Sequence, residues 1–189
     1  MKIEKTDALI IVDLQNDFCP GGALAVKDGD KIVKPINDVM GYFSVIVATM
    51  DWHPMGHISF KDKGGPWPGH CLQGTKGADF HPAFNRDGVH FIIRKAQTVD
   101  QDAYSGFQGT DLCEQLRKKF IKRVFVVGLA TDYCIKQTAL DAIKNQFQTI
   151  VIADLTRPVN VHAGDYDRAL EEIRRAGGKM IVSGELRKE

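Results

Sequence analysis

Three features of the sequence predict an α/β fold of three layers, a mostly parallel six-stranded sheet with helices on both faces. Six short runs rich in Val and Ile are nearly continuous in apolar residues, the pattern of strands covered on both faces. Helical patterns lie between several of them, which favours right-handed crossovers and parallel strands. No repeat, low-complexity tract or linker interrupts the 189 residues, so one domain spanning 1–189 is expected, long enough to bury a sizeable core.

The strands read in order as ALIIVDL (8–14), SVIVAT (44–49), VHFIIR (89–94), RVFVVGL (123–129), TIVIAD (149–154) and KMIVSG (179–184). A helix is predicted over 111–120, where Leu112, Leu116 and Phe120 make a stripe and Asp111 suits the N-cap. A second covers 131–145, with Ile135, Ala139, Ala142 and Ile143 at helical spacing and Thr131 or Asp132 as cap. A third covers 162–176, with Ala169, Ile173 and Ala176 on one face and Gly177-Gly178 as its stop. The stretch 50–88 differs. It is rich in Gly, Pro, Asp and His, has no good helix, and holds four of the six histidines and both tryptophans. So long a structureless segment in a compact domain is usually functional or disordered. Disordered segments are poor in aromatic residues, so an ordered loop is expected here.

Composition narrows the function before any motif does. The net charge is +1, with acids and bases interspersed, which argues against a nucleic-acid surface or a polybasic membrane patch. The apolar run in MKIEKTDALIIVDL is too short, and too soon broken by Asp13, for a signal peptide or a membrane span. A cytoplasmic protein is expected. The four cysteines, Cys19, Cys71, Cys113 and Cys134, contain no C-x-x-C pair, and free thiols rather than disulfides are expected.

Ligands of open parallel sheets bind beyond the carboxyl ends of the strands. Asp13, Asp51, Lys95 and Cys134 each end or follow one of the first four strands, so four chemically capable residues share one sheet edge. Cys134 falls in the first turn of a predicted helix, where backbone N–H groups and the positive end of the dipole stabilise a thiolate. The competing reading is a thiol that only fills space. Asp13 places a charge at the end of a central strand, which is costly unless it is paired or used. It is read as the base for the thiol, against a carboxylate that merely caps the following turn. Lys95 would lower the thiol pKa and neutralise developing charge, but Arg94, on the opposite face of the same strand, competes for the cleft.

Asp51, His53 and His70 form the metal candidate. Two imidazoles and a carboxylate, with places left for water, suit zinc, iron or manganese. His57 ranks below these three as an extra ligand or a supporting residue. His81, His90 and His162, like Cys19, Cys71 and Cys113, are read as structural. Phe18 and Trp67 are read either as core residues or as walls for a flat ring.

Five segments occur in order: IVDLQNDFCPGGALAV, DWHPMGHISF, WPGHCLQGTKGADFHP, RKAQTVDQDAYSGF and VVGLATDYCIKQTALDA. Together, over residues 8 to about 170, they resemble the nicotinamidase/pyrazinamidase family of the isochorismatase-like cysteine hydrolases. The resemblance implies a triad of Asp13, Lys95 and Cys134, with an oxyanion hole from the backbone N–H groups of Ala130 and Cys134. It implies a cis peptide at Leu129–Ala130 and a ring pocket of Phe18, Trp67 and Tyr104. It also implies a divalent metal, zinc foremost, on Asp51, His53 and His70. The implied activity is that of an amidohydrolase acting on nicotinamide in NAD salvage, through a cysteine thioester, with pyrazinamide as a further substrate. Neither nucleic acid nor membrane is an implied partner, and a homo-oligomer is left open. Two readings compete: a sibling amidase for another small amide or carbamoyl compound, and a non-catalytic member that has kept the fold.

Overall fold

The computed structural model describes residues 1–187. Its elements run β1 (Asp7–Val12), α1 (Val33–Met40), β2 (Val45–Asp51), β3 (Phe91–Lys95), α2 (Leu112–Lys118), β4 (Arg123–Leu129), α3 (Lys136–Lys144), β5 (Gln148–Arg157), α4 (Asp165–Arg175) and β6 (Lys179–Ile181). All six strands are parallel, in the order β3-β2-β1-β4-β5-β6. Each expected strand is present, and the sheet is wholly rather than mostly parallel.

The near-continuous apolar runs have their explanation in the two cores. Leu9 and Ile11 of β1 face one of them, and Ala8, Ile10 and Val12 face the other. The two faces are covered unequally. Helices α2, α3 and α4 lend Leu112, Leu116, Ala139, Ala142 and Ile173 to one core, joined by Ile135 just before α3. The other takes Val33, Ile36, Val39 and Met40 from α1, and the rest of its cover is irregular chain, including Phe18, Val26, Cys71 and Phe80. Helix α1 is absent from the sequence-based expectation. Its stripe is readable at helical spacing, but it spans only 8 residues with Pro35 in its first turn, below the length at which periodicity stands out.

Other boundaries moved for identifiable reasons. Phe120, expected to continue the α2 stripe, lies past the helix end with φ +56° and is 81% exposed. Asp111 stands at the N-cap position of α2, but its side chain accepts from Gln115 Nε2 instead of capping. The segment expected as one helix from 131 begins as a single widened turn, Thr131–Ile135, and becomes α-helical at Lys136. Neither expected cap residue caps it. Thr131 donates to Thr156 Oγ1 at 2.9 Å, and Asp132 accepts from the backbone N–H groups of Val159 and Asn160 at 2.9 and 2.8 Å.

The segment after β2 is ordered, as expected, and is held by short bridges: Phe60 with Trp67, His53 with Leu72, and Phe80 with Gln15. Chain order rises outward from β1 through β2 to β3 on one side, and from β4 through β5 to β6 on the other. The reversal therefore falls between β1 and β4, where such sheets open a crevice at their carboxyl ends. Gly128 lets the two strands meet closely there. Its φ is +116°, and a Cβ on it would lie 2.1 Å from the Val12 carbonyl oxygen.

Candidate active site

The crevice is floored by residues that end strands. Asp13 follows β1 in the left-handed region at φ +48°, a conformation that short polar side chains tolerate. Its N–H donates to the Thr49 carbonyl at 3.2 Å, which fixes it beside β2. Asp51 and Lys95 are the last residues of β2 and β3 and are register partners, so their side chains leave the sheet on the same side. That register also decides between the two cations at the end of β3. Lys95 is buried, whereas Arg94 faces out and lies over the Trp52 ring at 4.2 Å.

Lys95 is the hub. Its Nζ lies 2.9 Å from Asp13 Oδ2 and 3.4 Å from Cys134 Sγ, and it donates to the Ala103 carbonyl at 3.2 Å. It also pairs with Asp51 Oδ1. Burial alone would push the ammonium pKa down, but Asp13 and Asp51 outweigh it and hold the group protonated well above its ordinary range. For Asp51, Lys95 and the neighbouring imidazoles likewise outweigh burial and keep the carboxyl ionised below the usual carboxylate range. Asp13 goes the other way. Burial, aided by the Asp51 charge, raises its carboxyl above the usual range despite Lys95.

Cys134 sits in the widened turn after β4, and the Leu129–Ala130 peptide just before that turn is cis, as the resemblance implies. A ligand-type atom of Asp13, one of Asp51 and the Cys134 sulfur all lie within 4.8 Å of one another. The expectation of a thiolate stabilised by a helix start needs correction. The thiol is buried, and burial pushes its pKa well above the ordinary value, with Lys95 pulling only partly back. The Cys134 thiol is thus held in its neutral form, beside a carboxyl whose basicity is raised.

The metal candidate lies on the other side of Asp51. Its Oδ2 is 3.5 Å from His53 Nε2 and 3.8 Å from His70 Nε2. His70 Nδ1 pairs with the Pro68 carbonyl at 2.8 Å, so that nitrogen carries the proton and Nε2 presents its lone pair. Both ring nitrogens of His53 are buried without a hydrogen-bond partner among the described residues. Orphaned nitrogens of that kind, beside a second imidazole and an ionised carboxylate, fit a divalent cation. His57 stacks 4.3 Å from His53, but its Nδ1 pairs with Ser59 Oγ at 2.7 Å and its Nε2 with the Gln101 carbonyl at 3.1 Å. Both of its ring nitrogens are thus engaged in hydrogen bonds.

Phe18, Trp67, Tyr104, Ala130, Tyr133 and Val159 line a pocket that also reaches Cys134, Asp51, His53 and His70. Trp67 Nε1 donates to Tyr104 Oη at 2.9 Å, and the Trp67 ring meets Tyr133 edge-on at 4.9 Å. Of these residues, Tyr133 and Val159 escaped the sequence reading. Tyr133 adjoins Cys134, a signal that was available, but Val159 carries none. Gln15 escaped as well. Its buried amide accepts the Asp51 N–H and donates to the Asp51 and Ala78 carbonyls, each at 2.8 Å. The three histidines set aside stay outside the site, as do Cys19 and Cys71, whose thiols burial drives up, Cys19 to about 11. Cys113, at the edge of the α2–α3 core, takes no part either.

Comparison with known proteins matches an isochorismatase domain over residues 7–185. This chain belongs to the isochorismatase family. Within that family it is 42% identical to the nicotinamidase/pyrazinamidase of Mycobacterium tuberculosis, over 93% of this chain and 98% of the relative. A crystal structure of PnC1 from L. infantum in complex with nicotinate superimposes with a TM-score of 0.96 at 39% identity, covering 100% of this chain and 99% of that one. The pyrazinamidase of Pyrococcus horikoshii in complex with zinc gives 0.86 at 47% identity, over 94% and 99%. Among the described residues, no helix is long and apolar enough to cross a membrane.

Proposed function

We propose that this chain is a nicotinamidase, one hydrolase domain that converts nicotinamide to nicotinate and ammonia through a thioester on Cys134. The observation that carries the reading is the buried Asp13–Lys95–Cys134 cluster, opening on an aromatic pocket at the switch point of the sheet. The names and bound ligands of the relatives support the substrate class. Pyrazinamide, a ring carboxamide of the same shape, fits the same reasoning, and the role of the chain is then in NAD salvage.

The sequence of bond changes follows from the protonation states. Asp13, with its raised basicity, takes the Cys134 proton through Oδ2 as the sulfur attacks the carboxamide carbon. The N–H groups of Ala130 and Cys134 hold the oxyanion, each donor contributing about 3 kcal/mol. The C–N bond breaks as Asp13 returns the proton to the departing ammonia, leaving the thioester. Water then gives a proton to Asp13 and attacks the thioester carbon, the C–S bond breaks, and the proton returns to sulfur. Lys95 stays protonated and offsets the negative charge that accumulates around it. Asp51, His53 and His70 would hold a divalent cation, which supplies Lewis acidity toward the ring nitrogen or a bound water. Zinc is our choice, because its coordination accepts two imidazoles and a carboxylate with positions to spare.

Ammonia release from nicotinamide, measured with and without added zinc, tests the reading. Wild-type turnover and none in Cys134→Ala is the expected result. Turnover retained by Cys134→Ala would sink the nucleophile assignment. Turnover confined to non-aromatic amides would favour a sibling amidase.

A further inference from the structure

We propose that Thr49 is a positioning residue for the reaction, setting which oxygen of Asp13 faces the nucleophile. The inference rests on the reading of Asp13 as the base. Thr49 is the polar residue inside the otherwise apolar run of β2, and it is fully buried. Its hydroxyl lies against Asp13 twice, donating to Oδ1 at 2.6 Å and accepting from the Asp13 N–H at 3.3 Å. A hydroxyl has one proton to give. With that proton on Oδ1, the carboxylate cannot exchange its oxygens without breaking a short buried hydrogen bond. Oδ2 is thereby turned toward the site, where it pairs with the Lys95 ammonium at 2.9 Å and is the oxygen left to receive a proton from the thiol.

The rotamer of Thr49 is itself braced. Its methyl packs against the bare backbone of Gly106, so closely that a Cβ there would come within 2.9 Å of Thr49 Cγ2. The Gly106 N–H in turn donates to Thr138 Oγ1 at 3.0 Å, on α3 one turn beyond Cys134. The helix that follows the nucleophile therefore braces the residue that orients the base, across an element remote from both in sequence.

The test compares Thr49→Val, Thr49→Ser and Thr49→Ala, reading kcat and KM for nicotinamide and the rate at which iodoacetamide alkylates Cys134. Val keeps the shape and loses the proton. Ser and Ala both lose the methyl and differ only in the hydroxyl. We expect Val and Ala to lose roughly 10- to 100-fold in kcat with KM changed less than about twofold, the pattern of misplaced chemistry rather than weakened binding. Ser should stay within about threefold of wild type, and alkylation should slow in the same order. Val at wild-type kcat, or Ser no better than Ala, would overturn the inference, and the Ser and Ala pair decides it even where Val does not fold. Asp13→Asn is the control. If it remains active, the reading of the base has failed. If it is inactive while Thr49→Val is not, only the role of Thr49 has failed.

Discussion

Lys95 is bound by Asp51 through Oδ1, the oxygen that does not face the histidines. Asp51 thus belongs to two assemblies at once, with Oδ2 toward His53 and His70 and Oδ1 on the ammonium that also pairs with Asp13. It ties the proposed metal centre to the lysine of the proposed triad, and several of the expectations below follow from that link.

Removing Lys95 leaves two buried carboxylates without their cation. Lys95→Met should therefore lose activity and also about 3–5 kcal/mol of stability, the usual cost of breaking a buried ion pair from one side. Arg94→Met, which loses only the contact with Trp52 at the surface, should cost about 1 kcal/mol or less and keep its turnover. Denaturant unfolding beside the ammonia assay separates the two. Equal losses in both variants would contradict the burial of Lys95.

Because burial raises both Asp13 and Cys134, reactivity at Cys134 should follow the carboxyl and not the thiol. The base works when ionised, so alkylation should fall as pH drops through the Asp13 pKa, a limb displaced upward from the ordinary carboxyl value of 3.8. Above that limb the rate should be level through pH 9.0, the ordinary thiol value, where an unassisted buried thiol would still be climbing. Asp13→Asn should convert the level profile into a climbing one and lower kcat by about 10²- to 10⁴-fold. A profile that is unchanged by Asp13→Asn would refute base assistance.

Metal content divides the histidines. His53→Ala and His70→Ala should abolish stoichiometric zinc binding measured by elemental analysis. His57→Ala, which leaves the three donors and removes only the neighbour stacked on His53, should weaken it by about tenfold at most. Loss of zinc in His57→Ala equal to that in His53→Ala would make His57 a ligand.

Gly128→Ala tests the close approach of β1 and β4. A methyl group there meets the Val12 carbonyl, and alanine resists a φ of +116°. Destabilisation of about 1–3 kcal/mol is expected from overpacking alone, with backbone strain in addition. A melting temperature unchanged from wild type would mean that the strands can part without cost.

The sheet, its strand ends and the four chemically capable residues at those ends were legible because they depend on local pattern and one topological rule, whereas Ala130 and Tyr104 came only from the family resemblance. Apolar runs gave the strands, and Asp13, Asp51, Lys95 and Cys134 stood at their ends. What stayed hidden depends on packing between distant segments. Pattern alone left Lys95 and Arg94 undecided and the resemblance chose Lys95, but the physical reason lies in the register of β3 on β2, and Gln15 and Val159 reach the site through chain reversals that leave no periodic trace. The Cys134 thiol misled in a different way. A helix start is visible in sequence and argues for a thiolate, but the burial that reverses the balance appears only once both faces of the sheet are covered.

The position of the strand-order reversal has a bearing on assembly. The first three strands bring the base, the lysine and the three candidate metal donors, and the nucleophile arrives only with the chain after β4. A polypeptide emerging from the ribosome through residue 122 lacks the sulfur, the two backbone N–H groups proposed for the oxyanion, and the pocket residues Tyr133 and Val159. A fragment beginning at residue 123 holds the sulfur and no acceptor for its proton. The proposed thioester chemistry is therefore withheld from either half alone, and the pairing of β4 with β1 is what brings its parts together.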